Sequence, residues 1–116
     1  MDLINKKCVP CEGGTKPLDQ AAAQKYLELA PGWMLEQGSA KISRELIFQD
    51  FKSAVAFLNE LAVLAEAEGH HPDINLFSWN HVKVTLSTHA IKGLSTNDFI
   101  MAVKSSALLK KYNLAS

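Results

Sequence analysis

The sequence predicts an α+β fold, a single-domain sandwich in which a four-stranded antiparallel sheet carries helices packed on one face. Three observations lead there. At 116 residues the chain has room for one domain around one hydrophobic core. Segments of helical and of alternating periodicity follow one another in the order αββαββα. The most regular alternating segment sets Val82, Val84 and Leu86 against Lys83, Thr85 and Ser87, the pattern of a strand with one buried face.

Each element has a local cause. Residues 1–17 contain Pro10, Gly13, Gly14 and Pro17 and read as an irregular N-terminal arm ahead of a domain spanning 18–116. Asp19 is placed to cap a helix from Gln20 to about Leu29, which Pro31-Gly32 ends. Residues 33–37 and 41–48 read as two strands joined by a turn at Gly38-Ser39. Asp50 caps the longest helix, running to Glu68. Its residues Phe51, Ala54, Val55, Leu58, Leu61, Ala62 and Ala65 recur at helical spacing and are expected to face the sheet. Gly69 stops that helix, and Pro72 turns His71 toward extended backbone. A short strand at 75–77 and a longer one at 81–88 follow. Ser95 and Asp98 have capping-box spacing for a last helix to about Tyr112. A sheet covered on one face leaves the other face and its edges open to self-association.

Composition narrows the function. Apolar residues make up 47% and charged residues 21% of the chain, with twelve basic and twelve acidic side chains in balance. That excludes disorder and gives no electrostatic footprint for direct nucleic-acid or anionic-membrane binding. The start lacks a secretory apolar stretch and an Arg-rich, acid-poor transit composition, and no run could span a bilayer, so a cytoplasmic protein is expected. Cys8 and Cys11, the only cysteines, have no neighbouring Cys/His pair at zinc spacing. They read as reduced thiols in a mobile arm.

Chemistry concentrates in two places. Three of the four histidines lie in Glu66-Ala-Glu-Gly-His70-His71-Pro72 and Ser87-Thr88-His89. Histidine titrates at roughly pH 6.5 when unperturbed and serves acid/base or metal chemistry. The exit of the long helix and the end of the last strand can meet in a packed sandwich, which makes a joint site of these segments. Glu66 precedes His70 by four residues and can reach its imidazole if the last turn persists. Asp98 is first of all a capping residue. Trp33 suits either the core or stacking on a flat heterocycle. His81 and His89 share the polar parity of the last strand, and His81 reads as a surface residue. Adjacent histidines on extended backbone point their rings apart, unlike metal-binding spacings, so no metal is expected; a zinc hydrolase would need His70 or His71, His89 and a carboxylate to converge.

The combination of Glu66-x-x-x-His70-His71-Pro72, Trp79-Asn80, Val84-Thr-Leu-Ser-Thr-His89 and Gly93-Leu94-Ser95-x-x-Asp98 resembles the pterin-4a-carbinolamine dehydratase family. Pro31-Gly32-Trp33 and Phe48-Gln-Asp-Phe51 extend the likeness from about residue 17 onward, and the Cys8-Val-Pro-Cys11-Glu-Gly-Gly arm is similar to that of microbial-type members. The resemblance implies a small α+β domain forming homodimers or dimers of dimers. It implies dehydration of 4a-hydroxytetrahydropterin to quinonoid dihydropterin, which recycles the pterin cofactor of aromatic amino-acid hydroxylases, without metal or organic cofactor. By position, His70, His71 and His89 are the catalytic histidines. Glu66 would orient a histidine, Trp33 would line the pterin slot, and Asp98 would fix the helix start beside it. Backbone groups of Ser87 and Thr88 would meet the pterin's amide edge. Two departures stand out: the stretch after Pro72 is a residue longer than in animal members, and Ile91 replaces the cysteine of some members. Animal members also serve as dimerisation cofactors of a homeodomain transcription factor, so a protein-binding role without catalysis is the alternative.

Overall fold

A computed structural model describes residues 2–10 and 15–115. Helix α1 (Gln20–Leu27) is followed by β1 (Met34–Glu36), β2 (Lys41–Ile47), α2 (Phe51–Glu68), β3 (Asp73–Phe77), β4 (His81–Leu86) and α3 (Thr96–Leu108). The strands form one antiparallel sheet in the order β1-β2-β4-β3. The expected α+β architecture is therefore present.

Local chemistry sets the boundaries. Asp19 and Asp50 accept hydrogen bonds from the N–H groups of Ala22 and Ser53, satisfying donors that a helix start leaves open. Ser95 and Asp98 form the capping box of α3. Gly69 ends α2 in the left-handed region, at φ +67°, and returns its N–H to Ala65. The helix exit is thereby compressed into His70-His71-Pro72 before β3 begins.

The core lies between the sheet and the helices. Ile42, Leu46, Val82, Val84 and Leu86 present one sheet face, with Ile42 opposite Leu86 and Leu46 opposite Val82. Phe99, Ile100, Met101 and Ala102 bury the start of α3. The buried stripe of α2 is Ala54, Phe57, Leu61 and Ala65, while Phe51 and Ala62 are exposed. This corrects the expected stripe by part of a turn. The helix is apolar around most of its circumference, so spacing alone does not fix its rotation.

Three other boundaries differ. The strand expected over 75–77 begins at Asp73. The strand expected to reach residue 88 stops at Leu86, and the chain makes a 3-10 turn at His89–Ile91 closed by Lys92 at φ +55°. The last helix passes into a 3-10 turn at Leu109–Lys111. Within the arm, Leu3 is buried in the core cluster and Leu3–Asn5 form a 3-10 turn, so the segment is anchored rather than loose. Cys11 lies outside the described residues.

Candidate active site

A cavity of about 520 Å³ opens where the end of α2, the end of β4 and the start of α3 meet. His70, His71, Ser87, Thr88 and His89 line it, together with Val9, Pro10 and Asn97. Its volume falls in the range of small-molecule sites. The three histidines singled out by sequence thus border one space. His81 does not; it lies against the Phe77 ring and 3.6 Å from Glu45.

Asp98 organises the floor. Its carboxylate is fully buried and each oxygen is engaged. Oδ1 lies 2.6 Å from His70 Nε2, while Oδ2 accepts from Thr88 Oγ1 at 2.8 Å and from the Ser95 N–H at 2.9 Å. Thr88 Oγ1 is also 2.7 Å from Ser95 Oγ; since Thr88 gives its proton to Asp98, Ser95 must supply this one. A carboxylate is an acceptor only, so the ring proton shared with His70 sits on Nε2. His70 Nδ1 has no partner among the described residues. This is the support a working imidazole needs: a fixed ring with one defined nitrogen free.

One expectation is corrected here and another is extended. Glu66 does not hold His70. The left-handed Gly69 breaks helical spacing, and Glu66 Oε2 instead meets His71 Nε2 at 2.5 Å. Both side chains of that pair are largely exposed, so its contribution to stability is at most about 1 kcal/mol; its effect is to aim His71 at the rim. Asp98, expected to fix a helix start, does that and grips His70 as well.

Trp33 does not line the cavity. It is buried, and its Nε1–H donates to Ser106 Oγ at 3.0 Å, beside a second donation from Arg44 at 2.9 Å. Its neighbour Arg44 has its guanidinium pKa lowered by burial. Thr88 also differs from expectation in detail. Its N–H is given to Gly93 O at 2.8 Å and its carbonyl accepts from Ile91 at 3.2 Å, so these groups close the 3-10 turn. Gly93 is required there, because a Cβ would stand 2.6 Å from Pro17 Cβ.

Residues that sequence reading overlooked surround the catalytic candidates. Glu68 Oε1 accepts from the Cys8 N–H at 2.8 Å, and Lys104 Nζ donates to Oε2 at 2.7 Å. The Lys104 bond first, then the Cys8 N–H, hold the Glu68 carboxyl below its ordinary range. Burial first, then Glu68, push the Cys8 thiol up to about 12, which leaves it a poor nucleophile. No sequence spacing links Cys8, Glu68 and Lys104. Among the described residues, no three His, Cys, Asp or Glu side chains are arranged to hold a metal ion, and no helix is long and apolar enough to cross a membrane.

Comparison with known proteins shows the family. Residues 16–108 match the family described as pterin 4 alpha carbinolamine dehydratase. A protein of Azoarcus sp. (strain BH72), provisionally named a pterin-4-alpha-carbinolamine dehydratase, is 50% identical over 103 residues, covering 89% of this chain and 87% of the relative. The crystal structure of a transcriptional coactivator/pterin dehydratase from Brucella melitensis superimposes with a TM-score of 0.75 at 33% identity, over 80% of this chain and 98% of that one. A pterin dehydratase-like protein described as a RuBisCO assembly factor in the alpha-carboxysome matches with a TM-score of 0.58 at 26% identity, over 68% of this chain and 90% of the other.

Proposed function

The chain belongs to the pterin-4-alpha-carbinolamine dehydratase family, and we propose that it dehydrates 4a-hydroxytetrahydropterin to quinonoid dihydropterin by histidine acid/base catalysis. The observation that carries this reading is the buried Asp98 holding His70 at the border of a cavity shared with His71 and His89.

The chemistry asks for two proton movements. The C4a–O bond breaks as the departing hydroxyl takes a proton and leaves as water. The N5–H bond gives up its proton, and its electron pair becomes the C4a=N5 double bond. No electrons are exchanged with a second reactant. Groups that titrate near neutral pH suit both tasks, each contributing about 10²–10⁴ in rate. His70, oriented by Asp98, and His89, on the 3-10 turn after β4, flank the 4a-carbon, one serving as acid to the hydroxyl. His71, aimed by Glu66, assists at N5 or holds the ring at the rim. Ser87 meets the pterin's amide edge, and Thr88 acts chiefly through Asp98.

The same proposal includes a cytoplasmic homodimer or dimer of dimers that supports a pterin-dependent hydroxylase. Exposed Phe51 and Val63 on α2, 53% and 71% accessible, are apolar surface available for self-association. The test is the dehydration rate with and without protein, in the presence and absence of a chelator. A chelator-resistant acceleration supports the proposal, and chelator-sensitive activity favours a metal hydrolase. A rate equal to the spontaneous one favours a protein-binding role, the reading suggested by the coactivator and assembly-factor names of the two structural relatives.

A further inference from the structure

The N-terminal arm reaches the histidine cavity, where Val9 and Pro10 form part of its wall. Specific bonds hold them there. The Val9 N–H donates to Asn97 Oδ1 at 3.0 Å, and Asn97 Nδ2 donates back to the Val9 carbonyl at 2.5 Å. Asn97 is itself 4% exposed, so the side-chain half of this two-point clamp is buried. One residue earlier, Cys8 gives its N–H to Glu68 and its Sγ lies 3.6 Å from the Asn97 carbonyl. Glu68 is the last residue of α2, two before His70, and Asn97 immediately precedes Asp98. The arm is fastened to the two helix ends that carry His70 and its carboxylate.

Merely tying down a terminus would favour burying the arm's apolar side chains. Leu3 does so, but Val9 is 63% exposed while its backbone is clamped. The structure therefore fixes an exposed apolar residue in the cavity wall, whose other lining residues include His70, His71, Ser87, Thr88 and His89. A reduced pterin has the same two-sided character, with a hydrogen-bonding pyrimidine edge and a hydrocarbon edge at C6 and C7.

We infer that Val9 and Pro10 are substrate-binding residues that receive the hydrocarbon edge of the pterin and its 6-substituent, making the arm a specificity element. This rests on the dehydratase reading above. An apolar contact of this size discriminates ligands by roughly tenfold.

The experiment is calorimetric titration of the full chain with 6-methyl-7,8-dihydropterin and with 7,8-dihydropterin, using wild type, Val9→Ala and Val9→Asp, alongside steady-state kinetics. Because the Val9 side chain is exposed, both variants should retain the wild-type melting profile. Val9→Asp is expected to weaken the 6-methyl compound about tenfold, to affect the unsubstituted compound less, and to raise KM with kcat within about twofold. Val9→Ala should fall between. Wild type binding both compounds, with the variants binding them equally well, overturns the inference about the arm alone. A wild type that binds neither compound overturns the dehydratase reading and the inference with it.

Discussion

Replacing Asp98 should damage stability and chemistry separately, and the structure sets both sizes. In Asp98→Ala the N–H of Ser95, the hydroxyl of Thr88 and the ring N–H of His70 all lose their acceptor. Hydrogen bonds to a charged group contribute about 1.5–3 kcal/mol each. The full sum does not apply, because the Thr88 and Ser95 hydroxyls keep the bond they already share and Ser95 is only half-buried, so water can take up its N–H. A net loss of about 3–5 kcal/mol follows, a large part of a domain's usual 5–15 kcal/mol or so. Asp98→Asn keeps one oxygen for Thr88 and Ser95 but turns an NH₂ toward His70. The cost should be only about 1–2 kcal/mol, yet His70 must then accept at Nε2 and carry its proton on Nδ1, so turnover falls far more than stability. Urea unfolding at 25 °C of wild type, both Asp98 variants, His70→Ala and the Asp98→Ala/His70→Ala double variant measures the cycle. The expected coupling between the two sites is at least about 1 kcal/mol. Asp98→Ala within 1 kcal/mol of wild type, or additive losses in the double variant, would refute the reasoning.

Gly69→Ala places a Cβ in open space, so its cost is the left-handed backbone alone, about 1 kcal/mol by urea unfolding; a loss above about 3 kcal/mol would mean the helix exit carries further strain. Glu68 has a folded pKa below its unfolded one, so its stabilising contribution is complete above about pH 5 and disappears as pH falls through the folded value. Glu68→Gln should therefore flatten the fall in urea midpoint below pH 5, and an unchanged slope would contradict the Lys104 and Cys8 contacts. Trp33→Phe should lose about 1 kcal/mol with its bond to Ser106 and leave KM unchanged; a raised KM would return Trp33 to the substrate site.

The features legible in the sequence were those with local causes. Asp19, Asp50 and the Ser95/Asp98 box announce helix starts because a cap bonds within three residues, and Gly69 announces an end because it alone adopts φ +67° without penalty. The grouping of His70, His71 and His89 followed from element order. What escaped was set by distant contacts. Glu66 turned to His71 because a left-handed residue intervenes. The second oxygen of Asp98 found His70, 28 positions away in the chain. The arm reached Glu68 and Asn97, 60 and 88 positions from their partners, and left no periodic trace. Trp33 was ambiguous because a buried indole and a stacking indole have the same sequence signature until the partner, Ser106, is known.

The most direct test of the central claim is kcat for 4a-hydroxytetrahydropterin dehydration in wild type, His70→Ala, His89→Ala and the double variant, each corrected for the spontaneous rate. Acid/base catalysis by this pair predicts single losses of about 10²–10⁴ and a double variant close to the spontaneous rate. A double variant turning over as fast as wild type would contradict it.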